Sequence, residues 1–91
     1  MDKQSLQKRV IILCQQYGPE IPVKSICQHY FNCTIKTANE RIKANKFPLP
    51  AYRMTDTNSG DYYVAAEDLA TLIEKKHFQA KAEWEAVNQL H

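Results

Sequence analysis

Glycine and proline are confined to four short places in the chain: Gly18-Pro19, Pro22, Pro48 with Pro50, and Gly60. Proline lacks the donor N–H that a helix interior needs, and glycine weakens a helix, so these positions mark where helices must stop. They leave three long breaker-free stretches, residues 1–17, residues 23–47 and the 31 residues from Asp61 to the end, and a shorter one over residues 51–59. The 91-residue length suits one domain, and the 44% hydrophobic content is that of a chain with a packed core.

Apolar spacing fills these windows. Leu6, Val10, Leu13, Cys14 and Tyr17 recur at helical intervals, predicting an amphipathic helix over residues 5–17 that Gly18-Pro19 ends. Ile21 reads as an extended residue that pairs briefly, and Pro22, with its fixed φ, suits the start of a helix carrying Val23, Ile26, Cys27, Tyr30 and Phe31 inward. Asn32 tolerates the left-handed conformation of a tight turn, and Thr34 is a good N-cap for a third helix. In that helix Ile35, Ala38 and Ile42 are expected to face the core. Asn45 sits where a left-handed C-cap belongs, and Phe47-Pro48-Leu49-Pro50 forbids continuation.

Two short helices joined by a tight turn, over about residues 22–45, are the layout of a helix-turn-helix. Strand-like Ala51-Tyr52-Arg53-Met54-Thr55 and Tyr62-Tyr63-Val64-Ala65 then bracket six polar residues, predicting a projecting hairpin, or wing, over residues 51–65. A long helix over residues 66–90 closes the chain, with Glu67 and Asp68 in its first turn and a possible bend near His77. The expected fold is mainly α with a small β-hairpin: one winged helix-turn-helix domain plus a long C-terminal helix.

Charge is segregated. Residues 1–53 hold nine Lys or Arg against three acids, whereas residues 54–91 hold three against seven. A basic front half points to phosphates as a partner. On the third helix the inward stripe leaves Lys36, Thr37, Asn39, Glu40, Arg41 and Lys43 outward or on the flanks. Arginine can read guanine, asparagine adenine and glutamate the cytosine amino group, while Lys36 and Lys43 suit phosphates. In the wing, Asn58, Ser59 and backbone amides near Gly60 are candidates for the DNA backbone, with Asp56 and Asp61 arguing for an ordinary loop. Arg53 at the strand base suits a phosphate or pairing with one of those acids.

The run Ile21-Pro22-Val23, Tyr30-Phe31, Thr37-Ala38-Asn39, Phe47-Pro48-Leu49-Pro50 with Tyr52-Arg53, and Asp68-Leu69-Ala70 resembles the pyocin activator protein (PrtN) family. A looser form, with the wing and Asp-Leu, is similar to the wider MerR and phage excisionase winged-helix group. The resemblance implies a prophage-associated transcriptional activator binding DNA upstream of bacteriocin or phage-tail genes. Two departures stand out: Thr57-Asn58-Ser59-Gly60-Asp61 replaces a lysine-bearing wing, and Glu40 replaces the first of a basic pair whose second member is Arg41.

The expected partners are double-stranded DNA, RNA polymerase and a second copy of the chain. Ala80, Trp84 and Val87 form the C-terminal stripe that would carry the dimer contact. The alternatives are an excisionase or architectural factor that bends DNA, and a protein-interaction module that has lost DNA binding. Cys27-x-His29 with Cys33 lacks a fourth ligand close by, and the odd cysteine number argues for reduced packing residues, so neither metal nor disulfide is expected. No Gly-rich phosphate loop, HExxH or nucleophile elbow is present, so neither an enzyme nor a cofactor is expected. No apolar run reaches the ~20 residues of a membrane span, and the N-terminus lacks a signal-peptide layout, so the expected location is the cytoplasm, at the bacterial nucleoid.

Overall fold

A computed structural model describes residues 3–56 and 60–89. The elements run α1 (Lys3–Tyr17), β1 (Glu20–Pro22), α2 (Val23–Phe31), α3 (Ile35–Lys43), β2 (Tyr52–Arg53), β3 (Tyr62–Ala65) and α4 (Ala66–Asn88). The mainly helical architecture and the long last helix follow the sequence expectation. The turns do so for the expected reasons. Gly18, Asn32 and Asn45 all have positive φ, at 95°, 51° and 57°, where glycine is free and asparagine tolerated.

Three features sharpen the expectation. The hairpin is part of a three-stranded antiparallel sheet, because the short segment before α2 adds to it as β1, giving the order β1-β3-β2. Ile21 lies opposite Val64, and both are fully buried, so this cross-strand pair fastens the sheet to the helical core. Pro22 is tolerated because β1 is an edge strand. The ladder in β2 is only two residues long, with Tyr52 opposite Tyr63 and Arg53 opposite Tyr62. Finally, α4 runs unbroken past His77 as one 23-residue helix.

The core gathers one or more residues from most of these elements. Leu13 of α1, Val23, Ile26 and Cys27 of α2, Ala38 of α3, Val64 of β3 and Ala66, Leu69 and Ala70 of α4 are all buried. Full burial of a residue such as Ile26 stabilises by about 1.5–3 kcal/mol, so a few such side chains decide whether a domain this small folds. Leu49 is buried too, and Phe47 packs its ring on Phe31 at a centroid distance of 5.1 Å. The Pro-Leu-Pro turn is thereby fixed under α2.

A buried ion pair joins the first and last helices. Glu74 is 5% exposed, and its Oε1 accepts from Arg9 Nε at 2.8 Å and from Ser5 Oγ at 2.9 Å. Those two bonds hold the Glu74 carboxyl below its ordinary range, against the opposing effect of burial. Ser5 and Arg9 are four apart on α1 and so share a face. Beyond Glu74 the body ends, and every described residue of α4 from Lys75 onward is exposed.

Candidate nucleic-acid interface

The turn from α2 to α3 is fixed at several points. Asn32 takes the left-handed conformation, and its N–H donates to the Gln28 carbonyl at 3.2 Å. The Cys33 N–H then donates to the Cys27 carbonyl, also at 3.2 Å, which closes the end of α2. Thr34 caps α3 as expected: the Thr37 N–H donates to Thr34 Oγ1 at 3.2 Å, satisfying one of the first-turn donors. At the far end, the Lys46 N–H donates to the Arg41 carbonyl at 2.8 Å, with Asn45 left-handed between them. α3 is therefore a nine-residue rod with both ends satisfied.

Ala38, fully buried, is where this rod meets the core, and its small side chain lets α3 approach α2 closely. Ile42 is half-buried against the same cluster. Ile35 corrects the expectation of an inward residue. It sits on the first turn, past the edge of the core, and stays 41% exposed. Asn39 and Thr37 are half-buried flank residues, and Thr37 is tied to Thr34 through its hydroxyl. Asn39 Oδ1 is buried without a hydrogen-bond partner. Lys36, Glu40, Arg41 and Lys43 form the exposed outer row. No described residue of α4 or of the sheet lies over that row.

The base of the β2–β3 hairpin is held by charges and rings. Lys24 Nζ of α2 lies 3.1 Å from Asp61 Oδ2, so the acid that argued against phosphate contact is paired with a cation of α2. Exposed pairs of this kind contribute about 0–1 kcal/mol, so its effect is on position more than on stability. Arg53 stacks its guanidinium 4.4 Å from the Tyr62 ring centroid and donates through Nη2 to Tyr62 Oη at 2.8 Å. It stands at the end of β2, half-buried. Asn58 and Ser59 lie outside the described residues.

On the sheet, Tyr52 and Tyr63 stack at 6.4 Å. Burial, reinforced by the negative charges of Glu20, Glu67 and Asp68, holds the Tyr52 hydroxyl above its ordinary range. The charge segregation of the sequence thus has a spatial counterpart. Acids gather where the sheet meets the start of α4, and the exposed cations Lys36, Arg41, Lys43 and Lys46 gather on and just after α3.

Sequence reasoning missed two parts of this picture. Glu74 was not distinguishable from the other charged residues of α4, because nothing in the local pattern links it to Arg9, 65 positions earlier. The Lys24–Asp61 contact likewise depends on β3 folding back beside α2. The cysteines behave as packing residues, with Cys27 and Cys33 buried and all three free. His29 is exposed, on a different face of α2 from Cys27. Among the described residues no three metal-ligating side chains are grouped. None of the described helices is long and apolar enough to cross a membrane.

No curated protein and no solved structure gives a significant match to the chain. Residues 10–80, from the middle of α1 into the exposed half of α4, match the family described as pyocin activator protein PrtN. That span contains α2, α3, the sheet and the ion pair's Glu74, and it covers well over half of the sequence: the chain belongs to the pyocin activator protein PrtN family.

Proposed function

We propose that the chain is a sequence-specific, double-stranded-DNA-binding transcriptional activator of the prophage or bacteriocin type, using a winged helix-turn-helix. The observation that carries the reading is the exposed outer row of α3, with Lys36, Glu40, Arg41 and Lys43 on a rod capped at both ends and seated on the core through Ala38. Rigid placement matters because base edges are read within the short reach of a hydrogen bond. In this reading α3 enters a major groove. Arg41 reads a guanine, Glu40 accepts from a cytosine amino group, and Lys36 and Lys43 meet phosphates on either side. Asn39 and Thr37 contact bases from the flank. The hairpin serves as a wing: Arg53 meets the DNA backbone, and Asn58 and Ser59, outside the described residues, are further candidates for that contact. Membership of an activator family supports promotion of transcription, with RNA polymerase met through a surface other than α3.

Binding to random duplex should weaken steeply with salt, at a log–log slope of about −0.9 per phosphate neutralised. A flat response would instead favour a protein-interaction module. Arg41→Ala should relax preference at one base pair by about 1–3 kcal/mol, and an equal loss on every duplex would remove its base-reading role. Circularly permuted probes separate docking from recombination-type bending: near-uniform mobility supports an activator, and strong position dependence an excisionase-like factor.

A further inference from the structure

We infer that the exposed half of α4 pairs antiparallel with the same segment of a second copy, each copy seating Trp84 in an apolar recess of the other. This does not depend on whether α3 binds DNA.

The buried face of α4 does not stop where the body stops. Ala66, Leu69, Ala70 and Ile73 face the core or its edge, and projection along the helix carries that same stripe on through His77, Ala80, Trp84 and Val87. From Ile73 to Val87 the steps are four, three, four and three residues, the 3.5-residue repeat of a coiled-coil seam. Nothing described covers this continuation, and Trp84 is 65% exposed. Residues 75–88 span about 21 Å of helix, at ~1.5 Å per residue, and every one of them is exposed. Most helical stability in proteins comes from packing an apolar face, and on this segment a partner would supply that packing.

Charge selects both the partner and its direction. In an antiparallel pair with matched seam layers, Ile73 meets Trp84 of the second copy and His77 meets its Ala80, large beside small. Lys76 then flanks Glu83 of the other chain, and two-fold symmetry makes this contact twice. A parallel, in-register pair would instead set Lys76 against Lys81. The segment is therefore complementary to itself only when reversed.

The body supplies the receiving surface. Tyr30, Phe31, Leu72 and Ile73 line an open, mainly apolar recess of about 610 Å³, with Lys76 and His77 at its edge. Seating Ile73 opposite Trp84 brings the indole to this recess, and Val87 follows one turn later. A buried tryptophan contributes a large contact area, ~150–250 Å². Phe78 is also exposed but lies about a third of a turn away from the seam, outside the contact.

Sedimentation equilibrium of the full chain, read alongside emission from its single tryptophan, tests this. The expected mass is twice 10.5 kDa, with Trp84 emission shifting red as dilution dissociates the pair. Trp84→Asp should give single chains, whereas Phe78→Ser should leave the dimer intact. Lys76→Glu should weaken association roughly tenfold, and adding Glu83→Lys should restore it. Single chains at every concentration overturn the proposal. So does equal sensitivity to Phe78→Ser, a tightening by Lys76→Glu, or failure of the double reversal to restore pairing.

Discussion

α3 and the outer half of α4 are both exposed helix, and they are exposed for opposite reasons. α3 is short but supported: Thr34 caps one end, the left-handed Asn45 closes the other, and Ala38 seats it on the core. Its outward residues are polar and charged. The outer half of α4 is longer, has no body beneath it, and carries Trp84 and Val87 into solvent. A fixed rod with a polar face suits a polar, geometrically demanding ligand such as a nucleic-acid groove. An unsupported rod with an apolar seam suits a surface that completes its packing.

The largest expected effect comes from removing the outer cations of α3. Replacing Lys36, Arg41 and Lys43 together with alanine should lower duplex affinity roughly a hundredfold or more at moderate salt, and the two lost phosphate contacts should flatten the salt slope by about two. The matching change of Lys75 and Lys81 on α4 should leave both quantities nearly unchanged in gel-shift titrations. If the α3 triad and the α4 pair behave alike, the distinction between the helices fails.

A single substitution type separates the two regions by support. Ala38→Leu should force α3 off α2 and cost about 1–3 kcal/mol in urea unfolding. Ala82→Leu, on the exposed part of α4, should stay within about 0.5 kcal/mol of the parent.

The difference in support also explains what could be read in advance. The helix boundaries, the turns at Asn32 and Asn45, and the Thr34 cap follow from local chemistry: a proline that cannot continue a helix, an asparagine that tolerates positive φ, a hydroxyl placed to accept a first-turn N–H. The outer row of α3 followed as the complement of its apolar positions. Ile35 broke that rule because periodicity gives direction but not reach, and at the first turn there was no core left to meet. Glu74, the pairing of Lys24 with Asp61 and the addition of β1 to the sheet depend on segments far apart in sequence. No window of local spacing contains them.

Smaller effects refine the comparison. Thr34→Ala removes a cap from α3 and should lower stability by about 1 kcal/mol, with a parallel loss of DNA affinity. The final effect is conditional on pH. Arg9 and Ser5 hold the Glu74 carboxyl below its ordinary range, so the fold favours the charged form. That contribution is complete above the usual carboxylate value of about 4.3 and disappears as pH falls through the lower folded value. Thermal unfolding should therefore show the parent protein more stable than Glu74→Gln at neutral pH, with the gap closing in acid. A gap independent of pH would mean that Glu74 acts through shape alone.

Photocrosslinking from position 40 on α3, with position 85 on α4 as its counterpart, tests the central claim most directly. With a crosslinking residue placed at Glu40, the account predicts adducts to base edges of bound duplex, and none from Glu85. Equal crosslinking from both positions, or adducts from Glu85 alone, would contradict it.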